Sequence, residues 1–585
     1  MKVALIGAEL EENLGLRYMA AALEEQGHQA ETIAYNSERG LSQTVSQTLA
    51  FAPDIVGLSM VFTSRAREFC NLADALRSQS YSGHIIAGGH FAALNCRQLL
   101  SDFPAFDSVA LGEGEYIICE LATRLSDYRA VSGICFRSSD GTIRTNRSKG
   151  NPENLDSLPY PRRTTFHDYF GKPIASMLSS RGCWRNCAFC SINAWYKQGG
   201  GKKFRIRSIG NIVHEMKQLY FDHGVRIFNM QDDNFFLPNK ALALRRFKDL
   251  RAALQHEGLE GIAIAVKARP DSITEEAIRV LDDLGLFRVF LGVENASEIA
   301  LKKLNRKCRL QDILNALKIL NDYDVHIAYN LLMFELDTTM EDILVNLRFI
   351  ERHIENPFNF CRAEAYAGTG LESKLMAEGR LLGDYFGIDY RLKDPRTEAF
   401  HKIANYAFFD RNFSENGLHY FNMQVDFYFQ LLRRFYPHLL NLTLRSNVRN
   451  FIKCTNLDTY EHLCQIYDFV VSTNHGDQRA VHGFSHEVRE SVDRRSHELR
   501  LRGESLLNWI HRLYENRNAE SQSVWPGAAT AAPLFHNSSA EPYRGVDDLI
   551  NRTAEEVRMD DLDLFGLSGG PIPYEEFKRQ CISRS

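Results

Sequence analysis

The sequence predicts an α/β protein in three parts: a doubly wound, Rossmann-like domain, a partial (β/α)6 barrel and a mainly helical C-terminal region. Three observations carry this. Short, continuously apolar runs alternate with amphipathic helical patterns over residues 1–136. A second series of such units fills residues 172–370, and beyond 370 only helical periodicity remains.

In the first part, Val3 to Gly7, Asp54 to Ser59, His84 to Gly88 and Asp107 to Leu111 read as parallel strands, each too apolar to have a wet face. Between them lie helices such as Leu14 to Gln26, stopped by Gly27, and Ser64 to Arg77. The loops Gly7-Ala8, Ser59 to Thr63, Gly88-Gly89-His90 and Gly112 to Glu115 then gather at the carboxyl ends of the strands, where such a sheet holds its ligand. Residues 137–171, with Pro152, Pro159 and Pro161 among polar residues, read as a linker.

The barrel strands are expected at Ile174 to Ser179, Val225 to Met230, Gly261 to Val266, Phe287 to Gly292, Val325 to Met333 and Phe360 to Ala365. In 371–517, Met423, Phe427 and Leu431, with Val425, Phe429, Leu432 and Phe435, form helical stripes read as core packing. This region is expected to cover the barrel mouth. Glu487 to Arg502 alternates charges and reads as a solvated helix face, and 518–585 as a flexible linker and tail.

Composition narrows the function. Sixty-nine basic residues face 74 acidic ones for a net charge of −5, and no Lys/Arg block stands out, which argues against a nucleic-acid surface. No window reaches the ~18 uninterrupted apolar residues of a membrane helix. The first strand runs at once into Glu9, Glu11 and Glu12, unlike a secretory signal, so a soluble cytoplasmic protein is expected. Of twelve cysteines, nine are scattered and read as reduced small hydrophobes.

The other three, Cys183, Cys187 and Cys190, share the loop Ser179-Ser180-Arg181-Gly182-Cys183-Trp184-Arg185-Asn186-Cys187-Ala188-Phe189-Cys190 directly after the first barrel strand. Three thiolates in one loop can hold three corners of an iron-sulfur cube and leave one iron open to a substrate. A zinc loop is the alternative. The spacing Cys-x3-Cys-x2-Cys, with an aromatic before the last Cys, resembles the radical S-adenosylmethionine (radical SAM) superfamily over roughly 172–370. The resemblance implies a 4Fe-4S cluster on these cysteines, with S-adenosylmethionine chelating the free iron and Phe189 against its adenine. By the same resemblance, Asp232 and Asp233 would receive the methionine ammonium, Lys267 and Arg269 its carboxylate, and Glu294 the ribose hydroxyls. One departure stands out. Where the family has a Gly-x-Pro turn after the fifth strand, this chain has Phe334-Glu335-Leu336-Asp337-Thr338, leaving the adenine-side backbone contacts unassigned.

Asn13-Leu14-Gly15-Leu16-Arg17-Tyr18, Gly88-Gly89-His90 and Gly112-Glu113-Gly114-Glu115 resemble the cobalamin-binding domain fused in front of many radical SAM enzymes, which implies cobalamin contacts from Asn13, Leu14, Gly15, Ser59, Met60, Phe62, Gly88, Gly89, His90, Gly112, Glu113 and Gly114. Paired glycines permit close approach of backbone to a bulky ligand, and amides near Gly114 can meet a phosphate. A domain that keeps the fold without the cofactor is the alternative. The Asp-x-His-x-x-Gly loop that ligates cobalt in some such domains is missing: the loop is Ala8-Glu9-Leu10-Glu11-Glu12-Asn13. Cobalamin is therefore expected without a protein nitrogen below the metal, its lower face meeting Met60 or Phe62.

The resemblance implies methylation of an unactivated carbon of a small metabolite or natural-product intermediate, with electrons from a donor such as flavodoxin or ferredoxin. Ring formation, rearrangement or oxidation is the runner-up, and a non-catalytic cobalamin or redox sensor is the alternative of another class. Gly199-Gly200-Gly201 reads as a flexible flank of the cluster loop, and His482 and His486, with His475 nearby, as a weak metal-ligand pattern.

Overall fold

Seven strands build the first sheet of the computed structural model, which describes residues 1–414, 417–473 and 477–522. They are β1 (Lys2–Gly7), β2 (Gln29–Ala34), β3 (Ile55–Ser59), β4 (His84–Gly88), β5 (Ser108–Ala110), β6 (Ile134–Arg137) and β7 (Ile143–Thr145). Their order is β2-β1-β3-β4-β5-β6-β7, with β1 to β5 parallel and β6 and β7 antiparallel. All four strands expected here form. β2 escapes the apolar-run criterion because it is an edge strand with one wet face, Gln29, Glu31 and Ala34 being exposed. The order reverses between β1 and β3, and there the loops after the strands part to leave a crevice.

Residues 137–171 contribute β7 to this sheet and β8 (His167–Tyr169) to the next. Between these strands Arg163 straps the two sheets together: it reaches Glu12 at 2.6 Å, Glu215 at 2.9 Å and the Ser176 carbonyl at 2.6 Å.

The second sheet adds β9 (Lys172–Met177), β12 (Ile227–Met230), β13 (Ala263–Ala268), β14 (Leu286–Leu291), β15 (His326–Phe334) and β16 (Phe358–Arg362). A small hairpin of β10 (Ser180–Gly182) and β11 (Phe204–Ile206) stands apart from it. The order is β16-β15-β14-β13-β12-β9-β8, parallel except for β8, and the sheet curls into a half-barrel. All six expected barrel strands are present. Helices cover the convex side, where Phe228, Met230, Val266, Val289 and Leu331 sit in the largest core.

The C-terminal helices Pro395–Phe413, Leu418–Phe435, Leu442–Ser472 and Gln478–Gln522 do not cover the barrel mouth as expected. Leu418–Phe435, with parts of the two helices after it, closes the opposite end, while Pro395–Phe413 packs on the edge of the barrel through Phe400 on Phe334 and Phe408 on Phe360. Val425, Phe429 and Leu432 are fully buried and pack with Ile227, Ala263, Ala265 and Phe287, all in the opening halves of their strands. The small Ala263 and Ala265 leave space that the predicted aromatic stripe fills. The charged stretch from Glu487 to Arg502 is solvated on one side only, because Val488, Val492 and Leu499 turn into the core. Residues 518–522 continue the last helix, while His475 and the expected tail from 523 lie outside the described residues. Among the described residues no helix is long and apolar enough to cross a membrane.

Candidate functional site

The cluster loop leaves β9, runs through β10 and ends at the helix Ile192–Gly199. Its backbone is pinned from outside: Ala188 N–H donates to the Leu304 carbonyl (2.9 Å), Leu371 N–H to the Ala188 carbonyl (2.8 Å), and Trp184 Nε1 to the Phe236 carbonyl (3.3 Å). Cys183, Cys187 and Cys190 are half-buried and lie near enough for their charges to interact. Burial pushes the Cys190 thiol up to about 12 and raises Cys183, a cost that a bound metal reverses by holding its thiols deprotonated. Among the described residues no three His, Cys, Asp or Glu side chains converge on a single-ion site.

Two arginines complete the surroundings of Cys187. Arg306 Nη1 donates to its Sγ at 3.3 Å and Arg269 Nη1 at 3.7 Å, and hydrogen bonds of this kind tune an iron-sulfur cluster. Arg306, absent from the sequence reading, also approaches Glu294 at 3.7 Å and donates to the Gly292 carbonyl. Arg269 is buried and spent on the Asp271 carboxylate (2.9 Å), the Arg306 carbonyl (2.5 Å) and Cys187, so its guanidinium serves the cluster loop first. Lys267 is exposed and makes no ion pair among the described residues. Phe189 is half-buried against the barrel core. Glu294 follows β14 with its backbone bonded to β15, through the Asn330 carbonyl at 3.1 Å and Leu332 N–H at 2.5 Å. Burial raises its pKa, and Arg306 and Arg269 work against that.

The two adjacent aspartates have different tasks. Asp232 is fully buried and its carboxylate accepts from Ser179 N–H (3.1 Å), Ser179 Oγ (2.7 Å) and Ser180 Oγ (2.5 Å), which shapes the entry to the loop. Asp233 lines the cavity described below and accepts only the Gly182 N–H, at 3.0 Å. Asp233 keeps surface open to the cavity, but desolvation by the surrounding walls lifts it to about 6, with Lys267 opposing. Asp233 is therefore the carboxylate free to meet an ammonium. Asp233→Asn is expected to weaken S-adenosylmethionine binding by about tenfold or more, the worth of a charged hydrogen bond. Wild-type affinity should fall as pH drops through about 6, where the carboxyl takes up its proton, and the variant's should not. Asp232→Asn should instead lower the melting temperature. Calorimetric titration of both variants from pH 5 to 8 makes the comparison.

A cavity of about 590 Å³ opens beyond the carboxyl ends of β1, β3, β4 and β5. Asn13, Leu14, Gly15, Ser59, Phe62, Gly88, Gly89, His90, Gly112, Glu113 and Gly114 all line it. Met60 does not: it is fully buried in the core beneath, its N–H donating to the Gly88 carbonyl at 2.8 Å just after β3 ends. Phe62 is 61% exposed and Leu10 67%, so these two offer the apolar surface that a macrocycle needs. Gly89, at φ 91°, lies against the Met60 carbonyl, 2.8 Å from where a Cβ would stand, so only glycine fits. The amide of Glu113 is already taken by Asn151 Oδ1 (3.1 Å). His90 packs on Trp195 with ring centroids 4.5 Å apart; burial lowers it to about 4, and it stays neutral with Nε2 unpartnered. Of the glycine run that ends the cluster helix, Gly199 is packed against Asn151 and Gly112, whereas Gly201 is exposed.

The barrel forms the other wall of this cavity, through Leu178, Ser180, Arg181, Trp195, Gln231 and Asp233. Arg181, two residues before Cys183, holds Glu115 at 2.7 Å and Glu113 at 3.1 Å, and its guanidinium lies 4.7 Å from the Tyr18 ring centroid. Arg205 of β11 also binds Glu113 and reaches the Pro152 carbonyl at 2.6 Å. All four charged side chains are buried. The cluster loop is thus wired to the loop after β5.

Comparison with known proteins agrees with this geometry. The radical SAM superfamily model matches residues 177–350 and the B12 binding domain model residues 6–122. An uncharacterized methyltransferase, PH0819, of Pyrococcus horikoshii is 26% identical over 68% of this chain and 86% of its own. The anaerobic magnesium-protoporphyrin IX monomethyl ester cyclase of Synechocystis is 26% identical over 55% of this chain and 62% of its own. Among solved structures, the cobalamin-dependent S-adenosylmethionine radical enzyme OxsB, with aqua-cobalamin and S-adenosylmethionine bound, superposes with a TM-score of 0.62 at 16% identity. That match spans 90% of this chain and 82% of OxsB.

Proposed function

Because the chain joins a B12-binding domain to a radical SAM domain, we propose that it is a cobalamin-dependent radical SAM enzyme that methylates an unactivated carbon of a small metabolite or natural-product intermediate. The observation that carries this reading is the shared cavity: loops of the first domain and the mouth of the half-barrel line one space, with the cluster loop at its edge. When bound, the cluster and S-adenosylmethionine supply a hydrogen-abstracting 5′-deoxyadenosyl radical, and cobalamin supplies a transferable methyl group.

The chain's own residues do the rest. Cys183, Cys187 and Cys190 hold the irons, and Arg306 and Arg269 set the electrostatics at Cys187. Asp233 receives the methionine ammonium, Lys267 its carboxylate and Glu294 the ribose hydroxyls. Phe62 and Leu10, which line the cavity, would offer apolar surface to a bound macrocycle, and no histidine lies in residues 8–13 to reach a metal from that loop. A one-electron donor such as flavodoxin or ferredoxin would supply the electron that a bound cluster needs, and the oxygen sensitivity of that chemistry suits a cytoplasmic setting.

Ring formation is the second reading, favoured by the resemblance to the magnesium-protoporphyrin cyclase. The test is anaerobic reconstitution with iron, sulfide, cobalamin and S-adenosylmethionine, followed by mass spectrometry with candidate intermediates. Methylation adds one methylene unit to the substrate. Loss of hydrogen or an unchanged formula would shift the assignment to cyclisation or rearrangement. Absence of 5′-deoxyadenosine from reduced protein would favour a sensor.

A further inference from the structure

The concave side of the half-barrel is not packed like its convex side. Successive residues of a strand face opposite ways, and here Phe228, Met230, Val266, Val289 and Leu331 are buried. Their neighbours Asn229, Gln231, Lys267, Arg288, Phe290 and Asn330 keep accessible surface although all belong to central strands or follow them directly. The small Ala265 and Ala328 leave room beside them. A polar chamber results, floored by the helix Leu418–Phe435 and approached from the first domain by Glu11, whose carboxylate accepts from Gln231 Nε2 at 3.4 Å.

Arg288 is the misfit in this chamber. It is largely withdrawn from solvent, and its Nε is inaccessible and without a hydrogen-bond partner. Among the described residues it makes no ion pair, and its guanidinium carbon lies over the Phe427 ring, 5.6 Å from the centroid. Burial lowers its pKa, and the only groups that oppose this are Glu11 and Tyr169, neither within ion-pairing distance. Other deep arginines near it are ion-paired even where an Nε has no partner of its own: Arg306 approaches Glu294 at 3.7 Å and Arg205 binds Glu113, while Arg449 of the C-terminal helices pairs with Asp324 (2.6 Å) and Asp426 (3.2 Å). A second observation sits beside it. His326, the register partner of Arg288 on β15, is fully buried; its Nδ1 bonds to Asp426 Oδ2 at 2.5 Å and its Nε2 has no partner. Two adjacent positions of the sheet thus carry unsatisfied nitrogens, Arg288 at the chamber and His326 sealed in the core beside it. An unpaired buried guanidinium costs several kcal/mol, and bidentate carboxylate or phosphate is the group its fork fits.

We propose that Arg288 receives an anionic group of the substrate, a carboxylate or a phosphate, so that this enzyme acts on an organic anion held within the half-barrel. The inference rests on the function proposed above only in taking the chamber as the substrate's place. Binding is tested without turnover, by isothermal titration of the full chain with phenyl phosphate, benzoate and the uncharged benzyl alcohol. Wild type should bind at least one of the two anions and discriminate against the alcohol. Arg288→Met, whose apolar chain can rest on Phe427, should lose anion affinity at least tenfold, and Arg288→Lys should retain part of it. Iron content and S-adenosylmethionine affinity should be the same in all three proteins, and without anion the Met variant should melt no lower than wild type. Equal anion binding by wild type and Arg288→Met, or no anion binding by wild type, overturns the proposal. Loss of cluster or of S-adenosylmethionine cleavage in wild type would strike the proposed function and leave this result standing.

Discussion

Alanine at Cys183, Cys187 or Cys190 is expected to bring bound iron from about four per chain to near zero after anaerobic reconstitution, and 5′-deoxyadenosine formation with it. Two thiolates leave a second iron exposed, and nothing near the loop can take over, since no other cysteine shares it. Circular dichroism should stay unchanged, because the loop hangs on Leu304, Leu371 and Phe236 through other residues. Cys308→Ala is the control. That thiol is buried beside Arg306 and Asp271, so its loss should cost about 1 kcal/mol of packing and no iron. Full iron content in any of the three loop variants would remove the basis of the assignment.

Arg181→Met should destabilise the protein by about 3–5 kcal/mol, the cost of leaving a buried carboxylate without its cation. Glu115 loses its one ion-pair partner, whereas Glu113 keeps Arg205. The double variant Arg181→Met, Glu115→Leu should recover most of the loss, because it removes the stranded charge as well. Denaturant midpoints of the single and double variants give the comparison. Equal destabilisation in the two would mean that Arg181 acts through packing on Tyr18 and not through charge.

What the sequence discloses follows from how local each signal is. The six barrel strands and the four buried strands of the first domain are legible as apolar runs, and the cluster cysteines as a spacing within one loop. Arg306 is not legible, since it meets Cys187 from 119 residues away and only the folding of β14 onto β13 brings them together. The same holds for Arg181 and Arg205, whose partners sit in the other domain. Asp232 and Asp233 look alike in sequence, but neighbours at a strand end face opposite ways, so one is spent on Ser179 and Ser180 while the other stays free. The C-terminal helices were legible as core elements, yet which end of the barrel they close depends on Ala263 and Ala265, whose small size carries no mark of position.

Glu294 adopts φ 65°, in the left-handed region that a long side chain enters at a cost of about 1–3 kcal/mol. Its two backbone bonds to β15 hold it there. The consequence concerns what selection can tolerate. A screen for thermal robustness alone would favour glycine or asparagine at this position, since either relaxes the backbone, and would thereby discard the carboxylate assigned to the ribose. Under the ribose role proposed for it, a glutamate in so strained a conformation would trade robustness for ligand recognition, and position 294 would be one where stabilising this scaffold works against its chemistry.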